Sequence, residues 1–153
     1  MLTALKCRTC DAVLSFPLRL AEWQPLTRVE GREHYTYGPS TMARGTYAID
    51  PDPYLLGNDG SGTAREDLPT ATNTVVINPL DGQLLRPHWE SSRISGCCRR
   101  DGLGGPNLLC ARCGTEVGVE ISDCWTEYDV RLLRTMVSEE PAEDGTGTPN
   151  LTS

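Results

Sequence analysis

Five apolar residues, Val13, Leu14, Phe16, Leu18 and Leu20, alternate with other residues over most of their length near the start of the chain. Such a period of two predicts a half-buried strand. Pro17 lies inside it and places the strand at a sheet edge or a bulge. Residues 22–37 carry Trp23, Tyr35 and Tyr37 without a helical stripe. The next stretch, 38–74, is dense in Gly, Pro, Asp and Thr (GPST, DPDPY, GNDGSG). It reads as a loop-rich insertion, part of it lying over the surface, with one short strand at Gly45–Ile49. Thr74-Val-Val-Ile77, followed by Asn78-Pro79 and Asp81-Gly82, predicts a strand entering a turn. Gly102, Gly104, Gly105 and Pro106 mark another turn. Beyond it, Val117, Val119 and Ile121 alternate with Gly118, Glu120 and Ser122 as a strand. Tyr128, Val130 and Leu132 continue that pattern, although 129–136 also suits a short helix. The end, 138–153, holds Glu139, Glu140, Glu143 and Asp144 with no basic or aromatic residue and is expected to be a disordered acidic tail.

The 153 residues suit one domain, and at 38% hydrophobic and 23% charged they can build a modest core. A net charge of −7 argues against nucleic acid as a partner, because that affinity comes chiefly from Lys and Arg meeting phosphates. No apolar run nears the roughly 18 residues of a membrane span, and MLTALKCRTC lacks a signal-peptide pattern. The expected location is cytoplasmic. Lys6 is the one lysine beside 13 arginines, a bias of GC-rich bacterial genomes.

Seven cysteines change the picture. Under reducing conditions they point to metal or thiol chemistry rather than disulfides. Cys7-x2-Cys10 and Cys110-x2-Cys113 have the spacing of zinc knuckles, in which a tight turn aims both thiolates at one ion. Ninety-nine residues separate the pairs, so a shared zinc ties the start of the chain to its last third. Four thiolates leave no position for water, which makes this zinc structural. A competing set, Cys98, Cys110, Cys113 and Cys124, would form a local ribbon and leave Cys7 and Cys10 free. Cys97, Cys98 and Cys124 otherwise have three readings: buried small hydrophobes, a redox pair of Cys98 (or Cys97) with Cys124 beside Arg99 and Arg100, or a second metal site with His88. The aromatic residues Trp23, Trp89, Trp125, Tyr35, Tyr37, Tyr47 and Tyr54 suit a core or a half-wet cleft, with Trp89 and Trp125 the candidate cleft residues. His34 and His88 sit in no catalytic motif. Neither Asp50-Pro-Asp52 nor the glycines at 102–105 forms a recognised acid/base or phosphate-binding pattern.

The run Cys110-Ala-Arg-Cys113-Gly114-Thr-Glu-Val117-Gly118-Val-Glu-Ile121 resembles the second knuckle of the β-tent zinc proteins. These include the methionine sulfoxide reductases of the B type, the Yippee proteins and the cereblon thalidomide-binding domain. Cys7-x2-Cys10 with Ala12-Val13-Leu14 is similar to their first knuckle. The last third, through GPNLLCARCG and DCWTEYDVRLL, also resembles uncharacterised zinc-binding proteins of high-GC bacteria. The β-tent resemblance implies two antiparallel sheets leaning together above a cleft, pinned by zinc. Reductases of this kind carry Arg-x-Cys-x-Asn after the second knuckle, where this chain has Asp123-Cys124-Trp125-Thr126. His88-Trp89 is similar to one position of the cereblon aromatic cage, and Val119 stands at another.

The sequence thus predicts a mostly-β, β-tent-like domain over 1–137, pinned by a structural four-cysteine zinc and interrupted by the 38–74 insertion. Its expected role is a non-enzymatic binding module for a small ligand or a protein partner. The alternative is a thiol oxidoreductase that uses Cys98 or Cys97 with Cys124.

Overall fold

A computed structural model describes residues 1–23, 38–50, 54–55, 70–71, 74–94, 100, 105–123 and 127–142. The protein is mostly β. Its strands are β1 (Leu2–Cys7), β2 (Arg19–Leu20), β3 (Thr46–Asp50), β4 (Tyr54–Leu55), β5 (Thr70–Ala71), β6 (Thr74–Ile77), β7 (Leu85–Pro87), β8 (Leu108–Cys110), β9 (Glu116–Ile121), β10 (Asp129–Leu132) and β11 (Val137–Ala142). Seven of them form one mixed sheet in the order β2-β3-β6-β10-β9-β8-β7, with β2 parallel to β3 and the other pairs antiparallel. β1 pairs with β11 in a second sheet, and β4 with β5 in a third.

The continuous apolar run of β6 follows from its place inside the large sheet. Period two sends Val75 and Ile77 to one face and Val76 to the other, and all three are fully buried. Val75 and Ile77 join Val130, Leu132, Leu108 and Tyr47 in the main core, which packs against Leu5, Leu14, Leu18 and Val137 of the N- and C-terminal segments. Val76 meets Ala48 and Met42 on the reverse face, while Val119, Ile121 and Leu133 form a further cluster.

Glycine is required at one point of this packing. Gly118 of β9 lies opposite Leu132 on one side and Leu108 on the other. A Cβ there would sit 2.6 Å from the Arg131 carbonyl oxygen and 3.1 Å from Leu132 Cα, both backbone atoms that cannot swing aside. Gly118→Ala is expected to cost about 2–3 kcal/mol, the cost of overpacking a filled interior. Denaturant unfolding measures it, and a change below about 0.5 kcal/mol would contradict the contact.

Several expectations are corrected. Residues 13–20 make only bridges and a two-residue strand: Val13 pairs with Lys6 and Leu18 with Thr3. Leu14 and Leu18 are buried, but Phe16 and Leu20 point outward, at 48% and 66% exposure. The first strand precedes Cys7 instead. Within 38–74, residues 38–50 are no surface insertion, since β3 is the neighbour of β6 and Met42, Tyr47 and Ala48 are buried. Most of 51–73 lies outside the described residues. Residues 129–132 are strand rather than helix, because β10 is paired on both edges, by β6 and β9. The tail is not disordered over Ser138–Ala142, which complete β11 against β1. Its polar composition concealed this because β1 supplies the partner and the burial, while Glu139 accepts a 3.0 Å bond from the Tyr47 hydroxyl. Residues 143–153 are outside the described part.

Candidate metal centre

Both cysteine pairs fold into the same turn. In the first, Cys7 ends β1, the Cys7 N–H donates to the Ala12 carbonyl (2.9 Å), and the Asp11 N–H returns to the Cys7 carbonyl (2.8 Å). In the second, Cys110 ends β8, its N–H donates to the Thr115 carbonyl (2.9 Å), and the Gly114 N–H returns to Cys110 (2.8 Å). Each turn closes through a residue in the left-handed region, Asp11 at φ 62° and Gly114 at φ 77°. Glycine adopts this conformation without a Cβ penalty, and aspartate is among the few other residues that visit it. The Asp11 position gave the sequence no glycine to mark its turn.

Two turns meeting head to head bring the sulfurs together. Cys7 Sγ lies 3.7 Å from Cys113 Sγ, and Cys10 Sγ lies 3.7 Å from Cys110 Sγ. All four sulfurs fall within 4.8 Å of one another. A tetrahedral ion with Zn–S arms of about 2.3 Å requires sulfur–sulfur edges of about 3.8 Å. The four cysteines are free thiols, and their spacing is that of ligands rather than of disulfide sulfurs, which sit about 2.05 Å apart. They could hold one metal ion.

Electrostatics agrees with the geometry. Hydrogen bonds from the Thr115 hydroxyl and the Thr115 N–H hold the Cys113 thiol down at about 6, so it is a thiolate at neutral pH. At Cys10 the Ala12 N–H favours the anion. Burial and the crowding by Cys110, Cys113 and Cys7 outweigh it and push the thiol up to about 12. Four adjacent thiols cannot all ionise unaided; a divalent cation among them removes the conflict by binding every one as thiolate. Beyond the sulfurs, Arg86 brings its guanidinium against the second turn, where a Cβ on Gly114 would meet Nη2 at 3.6 Å. That positive charge would offset part of the excess negative charge of four thiolates around one dication.

The turns are also anchored to different parts of the fold. The Arg8 N–H donates to the Met136 carbonyl next to β11, and the Ala111 N–H donates to the Leu84 carbonyl at the start of β7. An ion here would therefore staple the β1–β11 sheet to the β7–β8 edge of the large sheet. Comparison with protein-family models, with curated proteins and with solved structures returns no match. The site rests on its own geometry.

Of the remaining candidates, Cys97, Cys98, Cys124 and Trp125 lie outside the described residues, as do His34, Tyr35 and Tyr37. The competing set of Cys98, Cys110, Cys113 and Cys124 gives way in one respect: Cys110 and Cys113 have Cys7 and Cys10 as close neighbours. Trp89, one of the two candidate cleft residues, is described without its expected partner Trp125. It is 74% exposed, with its ring centroid 5.1 Å from that of His88. His88 itself is buried: its Nδ1 accepts from the Glu90 N–H (3.0 Å), and its Nε2 lies 3.7 Å from Glu116, which Arg93 holds at 2.7 Å. Trp23 closes a polar cluster on the reverse face of the sheet, stacked 5.1 Å from the Arg131 guanidinium. No helix among the described residues is long and apolar enough to cross a membrane.

The two turns differ in exposure, which orders the reactivity of their sulfurs. Cys7 and Cys110 are fully buried, Cys10 is half-buried and Cys113 is exposed. Under limiting N-ethylmaleimide at neutral pH, Cys113 is expected to be labelled first of the four, because it combines exposure with a lowered thiol pKa. Peptide mass spectrometry reads the order, and early labelling of Cys7 or Cys110 would contradict it.

Proposed function

We propose that this protein is a non-enzymatic, zinc-stabilised binding module for a small ligand or a protein partner. The observation that carries the reading is the four-sulfur cluster, with two edges of 3.7 Å, all sulfurs within 4.8 Å of one another and two of its members fully buried. Catalytic zinc keeps a position open for water or substrate, whereas four thiolates fill a tetrahedron. The ion then does no chemistry, and its contribution is to the fold. Zinc is favoured over the other common four-thiolate metal, iron, because a purely structural clamp needs no redox change.

Elemental analysis is expected to return one zinc per chain. Exchange for Co2+ then tests the closed shell: the visible spectrum should be that of a tetrahedral four-thiolate ion and should not change on adding azide. A spectrum shifted by azide would reveal an open coordination position and overturn the structural role. Iron in the isolated protein would replace a passive clamp with a redox centre.

A further inference from the structure

We propose that Cys113 is a site of oxidation by peroxides, and that its oxidation joins it to Cys7, replacing the metal staple with a disulfide between the two turns. This concerns the same four sulfurs and rests on the zinc reading above. The two sulfur contacts of 3.7 Å each cross from one turn to the other, and each couples a more accessible sulfur to a sheltered one. Exposed Cys113 meets buried Cys7, and half-buried Cys10 meets buried Cys110. Cys113 is the point of entry. Ala111 and Arg112, which precede it, are exposed as well, so a reagent as small as hydrogen peroxide reaches its sulfur without any opening of the fold. Cys7 is a fully buried member of the main core and is shielded from direct attack.

Two steps complete the reaction. The Cys113 thiolate attacks one oxygen of hydrogen peroxide: an S–O bond forms, the O–O bond breaks and hydroxide leaves, giving the sulfenic acid. The Cys7 thiolate then attacks the Cys113 sulfur, an S–S bond forms and a second hydroxide leaves. The two thiolates together give up two electrons, which reduce one peroxide to two hydroxides. The second step needs a thiolate already within reach, and the 3.7 Å contact supplies it. An ion held by the four cysteines would lose two of its ligands, since zinc is bound by thiolates and not by disulfide sulfur. The tie between the sheets survives this loss. Each turn keeps its own anchor, Arg8 to Met136 and Ala111 to Leu84, and the new bond joins residues 106 apart in the chain. A cross-link closing so long a loop restricts the unfolded chain strongly. A bond within either C-x2-C turn would join near neighbours and leave the two sheets unconnected. Reduction by a dithiol reverses the change and restores all four ligands.

The test treats the full-length, metal-loaded protein with limiting hydrogen peroxide in the presence of a zinc-chelating dye. Remaining thiols are then blocked with N-ethylmaleimide, and peptide mass spectrometry without reduction maps the disulfides. The first disulfide is expected to join Cys7 to Cys113, with zinc released in proportion to it. The oxidised, zinc-free protein should keep a cooperative unfolding transition, whereas reduced protein stripped by chelator should lose it. A first disulfide within one turn, one joining Cys113 to Cys97, Cys98 or Cys124, or sulfinic acid at Cys113 without a disulfide would each overturn the proposal. An oxidised protein that unfolds like the stripped one would do the same. Elemental analysis of the starting sample separates this site from the zinc reading. Folded, metal-free protein that still links Cys7 to Cys113 overturns the zinc clamp alone, and zinc-loaded protein that forms no such link overturns the oxidation site alone.

Discussion

Cys7→Ser is expected to lose the metal and most of the protein's stability together. Cys7 is both a sulfur of the four-cysteine cluster and a fully buried member of the main core, at the junction of β1 with the large sheet. Zinc bound by thiolates contributes on the order of 10–16 kcal/mol to the folding of small zinc peptides. A whole domain of this size is stable by only about 5–15 kcal/mol. Removing one ligand should therefore leave little cooperative unfolding at room temperature. Elemental analysis and circular dichroism measure the two losses on one sample. Cys113→Ser changes an exposed ligand and should lose metal and stability by the same route without disturbing the core. A Cys7→Ser protein that keeps one metal ion and the wild-type unfolding midpoint would refute the clamp.

Asp50→Ala is expected to destabilise the protein by about 3–5 kcal/mol, the usual effect of stripping one partner from a buried ion pair. Asp50 of β3 accepts from Arg131 Nη1 of β10 at 2.6 Å, and the Thr74 hydroxyl of β6 accepts from the same nitrogen at 3.0 Å. The two charged side chains are only 6% and 5% exposed. Truncation leaves the guanidinium charged, desolvated and without that carboxylate. The cost arises from the buried guanidinium that has lost this carboxylate, so Asp50→Ala combined with Arg131→Met should recover much of the loss. Chemical denaturation of the three variants gives the comparison. An Asp50→Ala change below about 1 kcal/mol would show that the pair is not needed by the fold.

Nothing in the chain marked these two residues as a buried ion pair. Asp50 sits in a Pro- and Asp-rich run that reads as loop, and Arg131 alternates with Val130 and Leu132 as an outward-facing strand residue would. Alternation assumes one wet face, but at β10 both faces of the large sheet are covered, so its polar positions are buried as well as the apolar ones. The same reasoning explains β6, whose unbroken apolar run was legible as a strand because burial on both faces leaves that mark in the residues. β11 is the converse. Residues 138–142 carry no apolar pattern, and their pairing with Leu2–Cys7 depends on a partner more than 130 residues away in the chain.

The metal centre divides along the same line. Local chemistry determined the candidate ligands, because a C-x2-C turn needs only its own backbone to aim two sulfurs in one direction, and cysteine sulfurs are what such a turn presents. That made Cys7, Cys10, Cys110 and Cys113, and the mostly-β character around them, readable from the chain alone. Which pair faces which was a long-range matter. The sequence left open a local set with Cys98 and Cys124, and folding joined the two turns by placing the ends of β1 and β8 side by side over one core. The buried pair beneath Trp23 and the pairing of β11 with β1 arise in the same way. Each is set by contacts between segments remote in sequence, whose energies no local pattern of residues records.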